Sequence, residues 1–129
     1  MEHLKFDNWL SGLDLSFWGT AQHKVTPSQF FERQQSEGAV LLDLRSPEEE
    51  EQLTLPFALH IPINELPTRW HEVPTDRLVA TFCSSVTRAV VGWVYLQLRG
   101  LDKVRILDAR YNELADELTP GKVYKRSKQ

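Results

Sequence analysis

The chain carries one cysteine, and it stands in "ATFCSSVTRAV", residues 80–90. An apolar run, "LVATF", ends at Cys83. Ser84, Ser85, Val86, Thr87 and Arg88 follow, and "TRAVVGWVYLQLRG" then takes helical spacing and closes at Gly100. Strand, short polar loop and helix start, in that order, make an anion site: the loop's N–H groups converge, and the first helical turn adds partial positive charge. The same field favours thiolate over thiol, and the thiolate is a nucleophile. Hydroxyls of Ser84, Ser85 and Thr87 add donors, and small polar residues let such a loop turn tightly. The opposite reading is a small, buried, apolar residue closing a strand, as free cysteine often is. The place between a buried strand and a helix start favours the nucleophile.

A site of that kind needs a scaffold, and the remaining text supplies one. "AVLLDL" (39–44) and "VRIL" (104–107) are further strands of the type buried on both faces, and "FALHIPI" (57–63) is a shorter one. Helices lie between them. Thr26, Pro27 and Gln29 write a capping box into "VTPSQFFERQQSEG", with Gly38 as its stop; Ser46, Pro47 and Glu49 write another into "SPEEEEQ", where acids suit the helix dipole. A short helix is expected in "NELPTRWHEV" and another in "YNELADEL". Strands alternating with helices predict an α/β fold, a central parallel sheet with helices on both faces, which binds ligands beyond the carboxyl ends of its strands. Cys83 stands at such an end.

The flanks are less regular. The aromatic stretch "FDNWLSGLDLSFWGTAQ" keeps neither a helical nor a strand period for long. Residues 1–23 therefore read as an N-terminal extension that folds over the domain or over a partner; 24–121 read as the domain, and 122–129 as a basic, solvated tail. At 129 residues the chain has length for one core, and a net charge of −3 gives no electrostatic case for nucleic acid or acidic membranes. One cysteine allows no internal disulfide, and no apolar stretch approaches the roughly 20 residues of a membrane span, so a reducing cytoplasm is the expected setting. His3, His23, His60 and His71 are scattered, so no metal site is expected, and no organic cofactor either. Oligomeric state is not legible.

These residues together resemble a single-domain rhodanese. The likeness rests on "LLDLRSPEE" (41–49), an apolar strand with Asp-x-Arg and an acidic helix start; on "ALHIPINEL" (58–66); and most of all on "VATFCSSVTRA" (79–89), a nucleophilic cysteine in a loop closing on arginine. The resemblance implies a sulfurtransferase, the rhodanese-like family's thiosulfate sulfurtransferase chemistry. Cys83 takes a sulfane sulfur from a small anionic donor such as thiosulfate, holds it as a persulfide inside the loop Ser84–Arg88, and passes it to an external thiol, cyanide or a protein acceptor. It also implies supporting roles for Asp43, braced by Arg88, and for Arg45, paired within Glu48–Glu51. Four residues separate Cys83 from Arg88; phosphatases and arsenate reductases on the same fold have one more, which makes that alternative the weaker one. A non-catalytic binding module is the other alternative. Val86 replaces a glycine common in these loops, "DARY" (108–111) replaces a Gly-Gly pair after the last strand, and Phe57-Ala58 replaces a glycine before the Ile-Pro stretch. Val86 is expected in an ordinary backbone region, with the small residues around it adjusting.

Overall fold

The computed structural model describes residues 2–128. Five parallel strands form one sheet: β1 (Lys24–Val25), β2 (Val40–Asp43), β3 (Leu59–His60), β4 (Val79–Phe82) and β5 (Val104–Leu107), in the order β1-β5-β4-β2-β3. The helices are α1 (Glu2–Ser11), α2 (Leu15–Gly19), α3 (Pro27–Glu37), α4 (Pro47–Gln52), α5 (Leu66–Arg69), α6 (Thr87–Leu98), α7 (Tyr111–Asp116) and α8 (Pro120–Ser127), with short 3₁₀ turns on either side of α5.

The period of two within the strands divides the core. Leu41, Ala80, Phe82 and Leu107 face Phe30 and Phe31 of α3 and Leu114 of α7. Leu42, Val79, Val104 and Ile106 face Ala89, Trp93 and Leu96 of α6. Both faces are covered, which is why these strands read as continuous apolar runs rather than alternating ones. β4 lies in the interior of the sheet with all four of its residues buried, and Cys83 follows it directly. α6 comes down hard on this layer: a Cβ on Gly92 would stand 2.4 Å from Leu44 Cδ1, so any larger residue there would displace the buried Leu44 side chain.

Both expected capping boxes form, Thr26 with Gln29 and Ser46 with Glu49, and Gly38 ends α3 in the left-handed conformation at φ 73°. The flanks differ from the sequence reading. The N-terminal stretch is two short helices, too short and too interrupted by Gly12–Asp14 to build a period. They lie against α6: Trp9 meets Trp93 edge-on at 5.4 Å, and Phe17 stacks on it at 6.3 Å. The basic C-terminus is exposed for most of its length, as expected, but it is helical rather than an irregular tail. Arg126 pairs with Glu117 at 3.0 Å and sits 4.9 Å from the Phe31 ring centre. β1 was hidden inside the capping sequence of α3, and its two residues carry too little pattern to read.

Candidate active site

Cys83 is 1% exposed, at the carboxyl end of β4. Its Sγ accepts a hydrogen bond from the Ala89 N–H at 3.3 Å, in the first turn of α6. Among the described residues, the N–H groups of residues 84–88 make no hydrogen bond within the chain. The loop thus carries a row of donors with nothing inside the protein to satisfy them, beside the sulfur and at a helix head.

Val86 departs from the sequence expectation. Its φ is 75° and its ψ −30°, near the third position of a type II turn, a place that favours glycine. The loop did not find an ordinary path for valine; it kept the glycine-type backbone. A β-branched residue there costs on the order of 1–2 kcal/mol. Partial burial of Val86 against the α6-side core offsets some of that. Thr87 and Ser85 are exposed, and no side chain caps α6.

The arginines exchange the partners expected of them. Arg45, 2% exposed, grips Asp43, 1% exposed: Nε donates to Oδ1 at 2.9 Å and Nη2 to Oδ2 at 2.8 Å. The Arg45 N–H also donates to Oδ1 at 3.1 Å, and Nη2 reaches the Leu53 carbonyl at 2.9 Å. Arg45 lies 5.3 Å from the Tyr111 ring centre and 5.8 Å from that of Phe82. Two residues apart on one strand end, Asp43 and Arg45 satisfy each other within the chain's own turn, which leaves no carboxylate there for Arg88. The guanidinium of Arg45 holds its proton above the usual range, chiefly through the hydrogen bonds to Asp43.

Arg88 turns to Glu49 instead. Nη1 donates to Oε1 at 2.6 Å and Nη2 to Oε2 at 2.8 Å, and Nη2 also donates to the Ser84 hydroxyl at 3.1 Å. The Ser84 hydroxyl donates to Glu49 Oε2 at 3.3 Å, while Oε1 takes the Ser46 N–H at 3.0 Å as the capping box requires. Hydrogen bonds from Arg88 above all, and then from Ser46, hold the Glu49 carboxyl far below the usual range against the opposing effect of burial. The Arg88 proton is held more firmly too, chiefly by Glu49, with lesser help from Cys83. Glu49 therefore ties the head of α4 to both ends of the cysteine loop. Its capping role was legible in Ser-x-x-Glu; its role in the site was not, because Arg88 lies 39 positions away. No cluster of His, Cys, Asp or Glu suited to a metal occurs among the described residues.

A cysteine loop between an inner strand and a covering helix of a five-stranded parallel sheet defines the class of domain. Residues 26–117 match the family model described as Rhodanese-like domain, and the chain belongs to that family. A sulfurtransferase of Allochromatium vinosum is 36% identical over 69 residues, covering 54% of this chain and 64% of that protein; the chain thus spans less than two thirds of that relative's length. A rhodanese-related protein of Thermoplasma volcanium superposes with TM-score 0.65 at 21% identity, over 76% of this chain and 95% of that one. CoADR-RHD of Bacillus anthracis does so with TM-score 0.63 at 28% identity, over 74% of this chain but 17% of that one.

Proposed function

We propose that the chain is a sulfurtransferase in which Cys83 carries the sulfur. The observation that supports this reading best is the Cys83 sulfur at the head of α6, bonded to the Ala89 N–H at 3.3 Å and flanked by the unsatisfied N–H groups of residues 84–88. Family membership and the likeness to a sulfurtransferase agree with it. The thiolate attacks the outer sulfur of a donor R–S–X. With thiosulfate, a new S–S bond forms at Cys83, the donor's S–S bond breaks, and sulfite leaves with the bonding pair. The persulfide's terminal sulfur carries the negative charge, and the N–H row stabilises it as oxyanion-hole donors stabilise an oxyanion. Arg88 and Glu49 keep the loop in shape, and Asp43 and Arg45 keep the strand end beneath it in shape.

Release needs a nucleophile from outside, because this sequence holds one cysteine and cannot resolve the persulfide itself. A small thiol or a partner's cysteine attacks the terminal sulfur and restores the thiolate. Cyanide does the same and leaves as thiocyanate. No helix of the described residues is long and apolar enough to cross a membrane, and a reducing, cytoplasmic setting suits a persulfide of this kind. The test is intact mass after incubation with thiosulfate, and again after cyanide. A gain of one sulfur that cyanide removes is expected. Its absence, or its persistence in Cys83→Ser, overturns the reading.

A further inference from the structure

We propose that Arg110, in the loop after β5, recruits the anionic group of the sulfur donor to Cys83. The donor assignment rests on the sulfurtransferase reading; the electrostatic role does not. Both arginines of the cysteine site are already engaged. Arg88 is neutralised by Glu49 at 2.6 and 2.8 Å, and Arg45 by Asp43 at 2.8 and 2.9 Å in a buried pair. The rim next to the loop is acidic, with Glu48 and Glu51 exposed on α4. An anionic donor approaching Cys83 therefore meets repulsion from one side, and the site's own guanidinium groups offer no unpaired charge to oppose it.

Arg110 supplies what is missing. β5 runs parallel to β4 and beside it, with Thr81 opposite Ile106. The loops leaving these two strands, Cys83–Val86 and Asp108–Arg110, thus emerge side by side on the carboxyl edge of the sheet. The start of α7 is fastened to the end of β4, on the sheet face away from α6: the Tyr111 ring meets Phe82 edge-on at 5.9 Å. Arg110 itself is exposed, and among the described residues its guanidinium forms no ion pair. Neither of the two carboxylates nearest it in sequence bonds its guanidinium. Asp108 pairs with Lys24 at 3.2 Å, and Glu113 Oε1 accepts the Arg110 backbone N–H at 2.9 Å. An exposed cation on the loop that leaves the sheet next to the cysteine loop draws in small anions and acts before the chemical step. It sets the selection of the donor rather than the transfer itself.

The test separates this charge effect from sulfur transfer. Iodoacetate and iodoacetamide alkylate the same thiolate and differ by one negative charge, so the ratio of their rates reads the potential at Cys83. In Arg110→Gln the iodoacetate-to-iodoacetamide ratio should fall about two- to fivefold at low ionic strength, and the difference should shrink in salt. Arg110→Lys should keep the wild-type ratio. Arg77→Gln, an exposed change before β4 at the opposite edge, should keep it too. With thiosulfate, Arg110→Gln should raise KM by about the square of that factor, because the donor carries two charges, and leave kcat unchanged. Equal ratios in wild type, Arg110→Gln and Arg77→Gln overturn the proposal whether or not the protein moves sulfur. A lowered ratio in Arg110→Gln supports it, and if the wild type then gains no sulfur from thiosulfate, the reading that fails is the sulfurtransferase one.

Discussion

Arg88 and Glu49 hold each other across the gap between the cysteine loop and α4, through parallel hydrogen bonds of 2.6 and 2.8 Å. The pair joins the head of α6, whose first N–H groups are free, to the capped head of α4. A guanidinium is planar and forked, so this contact fixes a direction as well as a distance. The loop's donor row is aimed by it.

Arg88→Lys should therefore lower sulfur transfer although the charge is kept, since a lysine cannot make both bonds. Glu49→Gln should lower it to a similar degree. The double variant should be little worse than the poorer single one, because both changes undo one contact. Thiosulfate-to-cyanide turnover in the four forms measures this. Losses that multiply would mean that Arg88 and Glu49 act separately.

The same pair predicts an acid limit. The carboxyl of Glu49 is held well below its ordinary value of 4.5 in the folded protein. The folded state therefore binds this proton less readily than the unfolded one. The stabilisation is complete above that ordinary value and is lost progressively as pH falls from there towards the depressed folded value. Urea midpoints of wild type and Glu49→Gln should differ at neutral pH and converge on acidification below about pH 4. A constant difference across that range would show that Glu49 does not titrate with folding.

Asp43 and Arg45 are a different kind of pair, because both are almost wholly buried. Removing one partner leaves an uncompensated charge in the interior, which costs about 3–5 kcal/mol. Asp43→Ala should lower the urea midpoint far more than Glu49→Ala, whose partner Arg88 is partly in solvent. Equal midpoints would mean that the bond Arg45 already makes to the Leu53 carbonyl, at 2.9 Å, and water admitted in place of Asp43 are enough to hold the buried guanidinium.

Four of the five strands, the capped helices α3 and α4 and the placing of Cys83 were legible because each is written in local periods and short motifs, whereas β1, two residues long, was not. The capping boxes at Thr26 and Ser46 form as read. The ion pairs were not legible, since sequence shows which arginines and carboxylates are present but not which face one another. Asp43 and Arg45 are separated by two positions, Glu49 and Arg88 by 39, and four glutamates in a row leave the choice among Glu48–Glu51 open. Trp9 and Phe17 gave no period, because their shared partner, Trp93, belongs to α6. Gly92 passed as an ordinary residue of a helix, and only the position of Leu44 shows why it is glycine.

Val86 gives the last prediction. At φ 75° its backbone is strained by the Cβ, while its side chain gains from partial burial. Two substitutions separate these effects. Val86→Ala removes most of the packing and keeps the Cβ strain. Val86→Gly removes the packing too but relieves the strain, by roughly 1–2 kcal/mol, against about 0.4–1 kcal/mol of extra unfolded-state entropy. The glycine variant should therefore be at least as stable as the alanine variant, the reverse of the order in an ordinary helix or strand. Urea unfolding of the two gives the order, and an alanine variant clearly more stable than the glycine one would be incompatible with a positive φ at this position. Turnover should change little. The backbone is already in the conformation that glycine favours, so the N–H groups on either side of Val86 point the same way in both forms. We expect thiosulfate-to-cyanide turnover of Val86→Gly within about tenfold of wild type, roughly 1.4 kcal/mol of barrier. A gain of a hundredfold would mean that valine disables the loop, and the chain would then be better read as a binding module that retains its cysteine.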